Sequence, residues 1–538
     1  MTVFELMSTL ALHLSRHPLA LTVGIAILLR IGMGPGAPAT LRRALLRGYA
    51  TAGVAGLLTY GVVVVFYAAG PQYFDAAEPT ITAIGWLFQA GQPVYHELDA
   101  PDRYSHIYGP MVFIVHSAAL SAFGASIQAS KWVGSALAVG ALALTFSVLQ
   151  QKTGRGRALV LVGMAAVVLL GFRNYSFWTR PEPLQVFGVA AALATAHLRT
   201  RTLTILLSGL ALGVLWNLKL TGPLYSLPLL AILTHRHGWR SAAATSVVAA
   251  VVAAFPFLIF PNVSFAAYLT WVGLSAQTGL DLSILRQNLE WTAYLIVPLV
   301  VTWYSTPRDA SARWDGEWRA VILALGLATV GVIAAGSKPG AGPYHLLPFV
   351  PIVAYLVASR LGTAEMLIGR PDVAPVAAAF LVIGVSTAIT QQYQFLQIMA
   401  SRRAIDVAAE IVRVADAYGG VVEMGYALND PITFQRPLLV FRNNSYLLDQ
   451  PAVGEHLLAG IEIPSATIGA LRQCRVNYWL LPKGEPPFAG VNMYPAVRFR
   501  PLFPASFRAA FLEGHRLVES TEHFDVWECR APIGRAAR

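Results

Sequence analysis

The chain has 538 residues, 56% of them hydrophobic and 12% charged, with a mean hydropathy of +0.56. A soluble domain carries about a quarter charged residues, so this composition excludes a water-soluble globular protein and sets a polytopic membrane protein with room for an extra domain. A formal net charge of +11 would point to nucleic acid in a soluble chain, but here the positive-inside rule accounts for it, and two cysteines exclude a disulfide scaffold or a cysteine-built zinc site.

In chain order, residues 18–34 are apolar enough for a signal peptide, yet Glu5, Arg30 and the following RRALLR fit an uncleaved helix better. Apolar segments then recur from 51–70 through 373–390, and with 18–34 they suggest about 11–13 membrane helices with soft ends. Loop charge sets the orientation. If 51–70 runs outward and 108–125 lies along the outer surface, fifteen basic residues fall in cytoplasmic loops, Arg42, Arg308, Arg313 and Arg370 among them. Seven, including Lys131 and Arg173, then fall outside. Letting 108–125 cross would reverse that bias, so it reads as an interfacial helix.

From 391 the texture changes. RRAIDVAAEIVRVADAYGG has helical periodicity, while VVEMGYA, RPLLVF, VNYWLLP and HFDVWEC read as short strands. Fifteen basic and fourteen acidic residues nearly balance there, as in a water-soluble α/β domain. The predicted organisation is an N-terminal helix and cytoplasmic linker at 1–50, a transmembrane domain at 51–390 with its first outer loop at 71–107, and a C-terminal α/β domain at 391–538 outside the cytoplasm. Cys474 and Cys529 both fall in that domain, where pairing is permitted but not dictated.

The polar clusters concentrate on the predicted outer side. Asp75 and Glu78 stand three apart at a helix exit, so on a helical turn they share a face; the bland alternative is a capping pair. RNYSFWTRPEP brings Arg180 and Glu182 to the mouth of a helix, and WNLKLTGP puts Lys219 at the end of two short apolar segments, as a ligand group or a snorkelling charge. GSKPGAGPYHLLP leads Lys338 and His345 into a predicted helix at 345–361, a seat for phosphate or simply a turn. Asp99, Asp102 and Arg103 read as solvated loop charges.

These stretches, with YFDAAEP, GQPVY and YGPMVFIVHSAALSAFG before them, resemble the GT-C superfamily of integral-membrane glycosyltransferases, the group that includes protein O-mannosyltransferases and aminoarabinose transferases. The resemblance covers roughly 50–390 and implies a GT-C-like fold. It implies transfer of a sugar from a polyprenyl-phosphate carrier to a lipid, glycan or protein acceptor, with inversion, at the outer face of a bacterial inner membrane. Glu78, or else Asp75, would be the catalytic base, with Glu78 the first choice. Arg180, Glu182, Lys219, Lys338 and His345 would bind substrate, and the resemblance adds Tyr108 and Tyr344. It names no cofactor and leaves a divalent metal beside Asp75 open, because relatives often carry adjacent acids or Asp-x-Asp where this chain has Asp75-x-x-Glu78. The lipid bilayer is a partner and nucleic acid is not. A lipid-linked saccharide flippase, with charges lining a path inside the helices, and a non-catalytic membrane sensor are the rival classes.

Overall fold

The computed structural model describes residues 3–32, 38–172, 175–305, 316–361, 373–426, 431–443, 445–491 and 500–530. Arg173, Arg308, Arg313 and Arg370 of the loop count lie outside these residues, as do the ends of the predicted segments at 18–34, 287–306 and 421–427, and Arg42 is described in its backbone alone. Five of the described helices are long and apolar enough to cross a membrane: Arg43–Ala69, Ile127–Thr153, Trp239–Ile259, Gly316–Ala335 and Ala374–Met399. Glu5–Arg16 and Pro18–Gly32, bent by 94° at their junction, add a sixth if they form one broken span. The other predicted helices between 155 and 361 are present but fall short of that test in length or hydropathy. Leucine and valine side chains along these spans, such as Leu58, Val251, Leu323 and Leu327, are exposed. Water would not tolerate such a belt, whereas lipid does. The chain is an integral membrane protein.

The chain forms two compact units. The first comprises Met1–Ala68, Gly134–Phe255 and Leu280–Ala400 and holds most of the membrane helices. Lipid supplies no hydrophobic drive between helices, so small residues set the close crossings. A Cβ on Gly163 would run into the backbone of Gly53, which is why the helices Pro38–Ala69 and Arg155–Gly171 can touch there.

The second unit gathers Ala69–Val133, Pro256–Gly279 and Ser401–Arg538. Its sheet has four strands, β1 (Val422–Met424), β2 (Tyr478–Pro482), β3 (His515–Ser520) and β4 (Phe524–Cys529), in the order β1-β2-β4-β3. β1 runs parallel to β2, while β4 is antiparallel to both β2 and β3. Strand alternation sorts the core into two. Trp479 and Leu481 face an aromatic cluster of Phe488, Phe503, Phe507 and Phe511, and Leu480 faces Val407, Ile411, Val414 and Met424. The helix Arg403–Ala417 lies where the periodicity predicts it. Cys474 and Cys529 are bonded, with Cα atoms 5.6 Å apart.

Three expectations need correction. RPLLVF is not a strand but the helix Pro437–Asn443, because Pro437 is pre-set for the first helical turn and has no N–H to give a ladder. β3, whose HRLVES is exposed along most of its length, is a strand beyond those predicted. Arg103 is not a solvated loop charge: it is 1% exposed, and half-buried Asp102 is ion-paired to Arg475 at 2.7 Å. The helix expected at 108–125 is Pro110–Phe123, 14 residues or about 21 Å long, short of the ~30 Å hydrocarbon core. Its buried face, Val112, Phe113, His116 and Leu120, packs on the helix Ala77–Gln89.

Candidate active site

In the first unit, the RPEP sequence starts a helix at Pro181. Arg180 precedes it in the extended conformation that a following proline favours, and Glu182 sits in the first turn, where the helix dipole favours an acid. The Glu182 side chain is fully buried. One carboxylate oxygen accepts from Arg180 Nε at 3.1 Å and the other from Lys219 Nζ. Lys219 reaches it from a tight turn between the helices Arg201–Trp216 and Gly222–His237. Gly222 N donates to Lys219 O at 2.8 Å, and a Cβ on Gly222 would strike the Leu215 carbonyl.

Aromatic rings complete the group. The Arg180 guanidinium lies 4.7 Å from the Tyr175 ring and 5.0 Å from that of Tyr344, and Lys219 Nζ is 5.2 Å from Tyr344. Such cation–π contacts orient cations without neutralising them. Tyr344 stacks on His345 at 4.8 Å. Tyr175 and Tyr344 also wall a cavity of about 230 Å³ with Arg16, Gln287 and Trp291. One turn below Glu182, Gln185 is fully buried with neither amide atom bonded to protein.

The Gly-rich segment is held by Asn288, whose Nδ2 donates to Gly336 O at 2.8 Å and to Ser337 Oγ at 3.0 Å. Lys338 is half-buried beside it. The chain then enters a 3-10 helix, Pro343–Phe349, and only after it the α-helix Val350–Leu361. Pro343 and Pro348 have no N–H, and that of His345 goes to Gly342 O at 3.2 Å. The segment therefore offers Lys338 and the Tyr344 ring, not the row of free N–H groups expected of an α-helix start. His345 is buried.

Asp75, Glu78 and Tyr108 belong to the second unit. Glu78 is fully buried, and its Oε1 accepts from Phe74 N at 2.7 Å and Asp75 N at 3.0 Å, closing the turn that starts the helix Ala77–Gln89. Asp75 is half-buried, and its Oδ1 accepts from Ala77 N at 2.9 Å. Both carboxylates thus hold the turn at this helix start, as the capping-pair alternative has it, and Asp75 is the more accessible of the two. Arg436, which the sequence did not single out, clamps this helix start. Its Nη2 donates to Ala76 O at 2.9 Å, Thr80 Oγ1 at 2.7 Å and Asp449 Oδ2 at 3.0 Å. The Tyr108 ring packs on His106 at 4.3 Å, and its carbonyl accepts from the Tyr95 hydroxyl. Among the described residues the one grouping of three metal-ligand side chains is Glu410, Glu522 and His523, which includes neither Asp75 nor Glu78. That donor set gives no ground for routing a step through a metal at Asp75.

Residues 106–347 match the family model of glycosyltransferase family 87. The chain carries a glycosyltransferase segment. It takes in the transferase's Arg180, Glu182, Lys219, Lys338, Tyr344, His345 and Tyr108, while Asp75 and Glu78 precede it. The match agrees with the resemblance to membrane glycosyltransferases read from the sequence. No protein of curated function matches the transferase by sequence. Among solved structures it is similar to ArnT from Cupriavidus metallidurans, bound to undecaprenyl phosphate (TM-score 0.46) and in the apo state (TM-score 0.48). Each comparison has 12% identity and covers 90% of this chain and 98% of ArnT.

Proposed function

We propose that this glycosyltransferase moves a sugar from a polyprenyl-phosphate carrier to a lipid, glycan or protein acceptor at the outer face of a bacterial inner membrane. The observation that carries the reading is the buried Arg180–Glu182–Lys219 group faced by Tyr344. When the glycosidic bond to phosphate breaks, negative charge grows on the leaving oxygen, and cations already in place stabilise it without reorganising. Glu182 holds Arg180 and Lys219 at fixed positions, and Lys338 adds a third cation from the Gly-rich segment. Asp75 is the base we propose for the acceptor hydroxyl, in preference to Glu78. Attack by that hydroxyl opposite the phosphate inverts the anomeric carbon. The outward orientation is supported by the basic-loop asymmetry and by the Cys474–Cys529 bond, since disulfides persist outside the reducing cytoplasm. A match to a transferase family favours this reading over a flippase or a sensor.

The test uses membranes containing the enzyme and a panel of labelled polyprenyl-phosphate sugars. Transfer of label, with release of polyprenyl phosphate, is expected from at least one donor. Arg180→Ala and Lys219→Ala should each abolish most of it while expression holds. Transfer that survives both substitutions at normal rate would sink the assignment.

A further inference from the structure

Besides these groups, the second unit contains a cavity of about 230 Å³ lined by Arg103, Val453, His456, Ile463, Arg500 and Leu502. A single water needs about 10–15 Å³ of such space, so the cavity admits a ligand group. Its floor is charged. Arg103 is 1% exposed; its Nη2 donates to Leu98 O at 2.7 Å and to Ala100 O, while Nε and Nη1 are buried without a bond to protein. Its backbone cannot swing away, because Arg103 N donates to Leu447 O at 2.7 Å and Arg103 O accepts from Asp449 N at 2.9 Å. Burying a guanidinium with donors unmet is costly unless an anion meets them.

The second feature is His456, 5% exposed, with Nε2 also buried and without a bond to protein. Its other ring nitrogen serves the Ser105 backbone, and burial holds the ring neutral by pushing its pKa well below the ordinary histidine value. Nε2 is therefore an acceptor, suited to a hydroxyl. The Trp271 ring covers His456 at 4.3 Å and is fixed by its own Nε1, which donates to His96 O at 3.0 Å. Of the remaining charged wall residues, Arg500 and Glu462 are exposed at the rim.

We propose that this cavity is a second ligand site, taking a small hydroxylated oxyanion such as a sugar acid or a sugar phosphate. The oxyanion meets Arg103 Nε and Nη1, a ligand hydroxyl donates to His456 Nε2, and Arg500 adds charge at the mouth. The assignment does not rest on the transfer reaction and would stand if that reading failed.

The readout is local to the cavity. The full chain in detergent is labelled with 5-fluorotryptophan, and the Trp271 signal is assigned by its loss in Trp271→Phe. Glucuronate, glucose 6-phosphate and glucose are titrated in parallel. A saturable shift of the Trp271 signal is expected with glucuronate, glucose 6-phosphate or both, and none with glucose. A response to one anion alone assigns the carboxylate or the phosphate accordingly. Arg103→Lys should weaken the response by more than about tenfold, as loss of a buried charged contact does. Arg500→Gln, an exposed change that leaves the fold alone, should weaken it by about threefold, as a rim charge does. The proposal is overturned if neither anion shifts the signal, if glucose shifts it equally, or if Arg500→Gln leaves the titration unchanged. Should Arg103→Lys not fold, the Arg500→Gln comparison decides.

Discussion

Replacing Glu182 by glutamine removes one charge and almost no volume, and its effect separates a binding site from a structural ion pair. In the native protein a fully buried carboxylate is shared by Arg180 Nε at 3.1 Å and by Lys219. Taking one partner from a buried pair costs about 3–5 kcal/mol, because the remaining charge is left uncompensated. Glutamine still offers one acceptor oxygen, which places Glu182→Gln at the lower end, about 3 kcal/mol less stable. If the two cations serve a carrier phosphate, that phosphate can take over the lost compensation. A ligand at about 100 times its Kd stabilises by about 2.7 kcal/mol, nearly the whole loss, and the extra positive charge should tighten phosphate binding further. The assay is thermal unfolding in detergent with increasing polyprenyl phosphate, run on both proteins. Glu182→Gln should melt lower without ligand and gain more from ligand than the wild type does. An equal or smaller gain in the variant would refute the reasoning, since a purely structural pair has no reason to be rescued.

Asp75→Asn should cut turnover by about 10²- to 10⁴-fold, the usual cost of losing a general base, whereas Glu78→Ala should chiefly lower stability, by about 3–5 kcal/mol, because the buried Lys131 then loses the carboxylate that offsets its charge; rates and melts on both variants give the comparison. Thiol counting on unreduced, denatured protein should find none free. Cys474→Ser with Cys529→Ser should destabilise the second unit by about 4 kcal/mol, the chain-entropy value for a separation of 55 residues, read by limited proteolysis. Burial pushes the Glu423 carboxyl from 4.5 up to about 8, against the backbone N–H bonds from Leu447 and Leu448. Because the folded value is raised, its stabilising contribution is full below pH ~4.5 and is lost as pH rises through ~8. Stability measured across that window should therefore slope downward more steeply in the wild type than in Glu423→Gln, and parallel slopes would count against it.

The membrane character, the helix periodicity of 403–417 and the cluster of Arg180, Glu182 and Lys219 were legible because each is a local signal. Apolar runs set the helices, and ionisable residues embedded among them are expensive enough to stand out. Tyr175 lies inside RNYSFWTRPEP without standing out, since a tyrosine beside a membrane helix reads as an interface anchor until a guanidinium is seen over it. Arg103 and Arg436 were illegible for another reason. Their burial depends on Leu447, Asp449 and Ala76, hundreds of positions away along the chain, and no spacing rule reaches that far. The segment after Arg436 misled because β-branched and apolar residues suggested a strand, while a single proline settled the backbone.

That the second unit draws on 69–133, 256–279 and 401–538 has a consequence for how the protein is born. Translation proceeds at about 5–20 residues per second, so the first of these segments leaves the ribosome roughly 15–55 s before the last begins to appear. During that interval the helix start at Ala77 lacks Arg436 and Asp449, and Arg103 lacks the chain that will bury it. The nascent protein must hold an unfinished stretch that includes the apolar helix Pro110–Phe123, already past its first membrane helix, without letting it aggregate. A ribosome stalled short of residue 401 would leave that stretch permanently incomplete, exposing it to proteases and folding helpers on whichever side of the membrane it has reached.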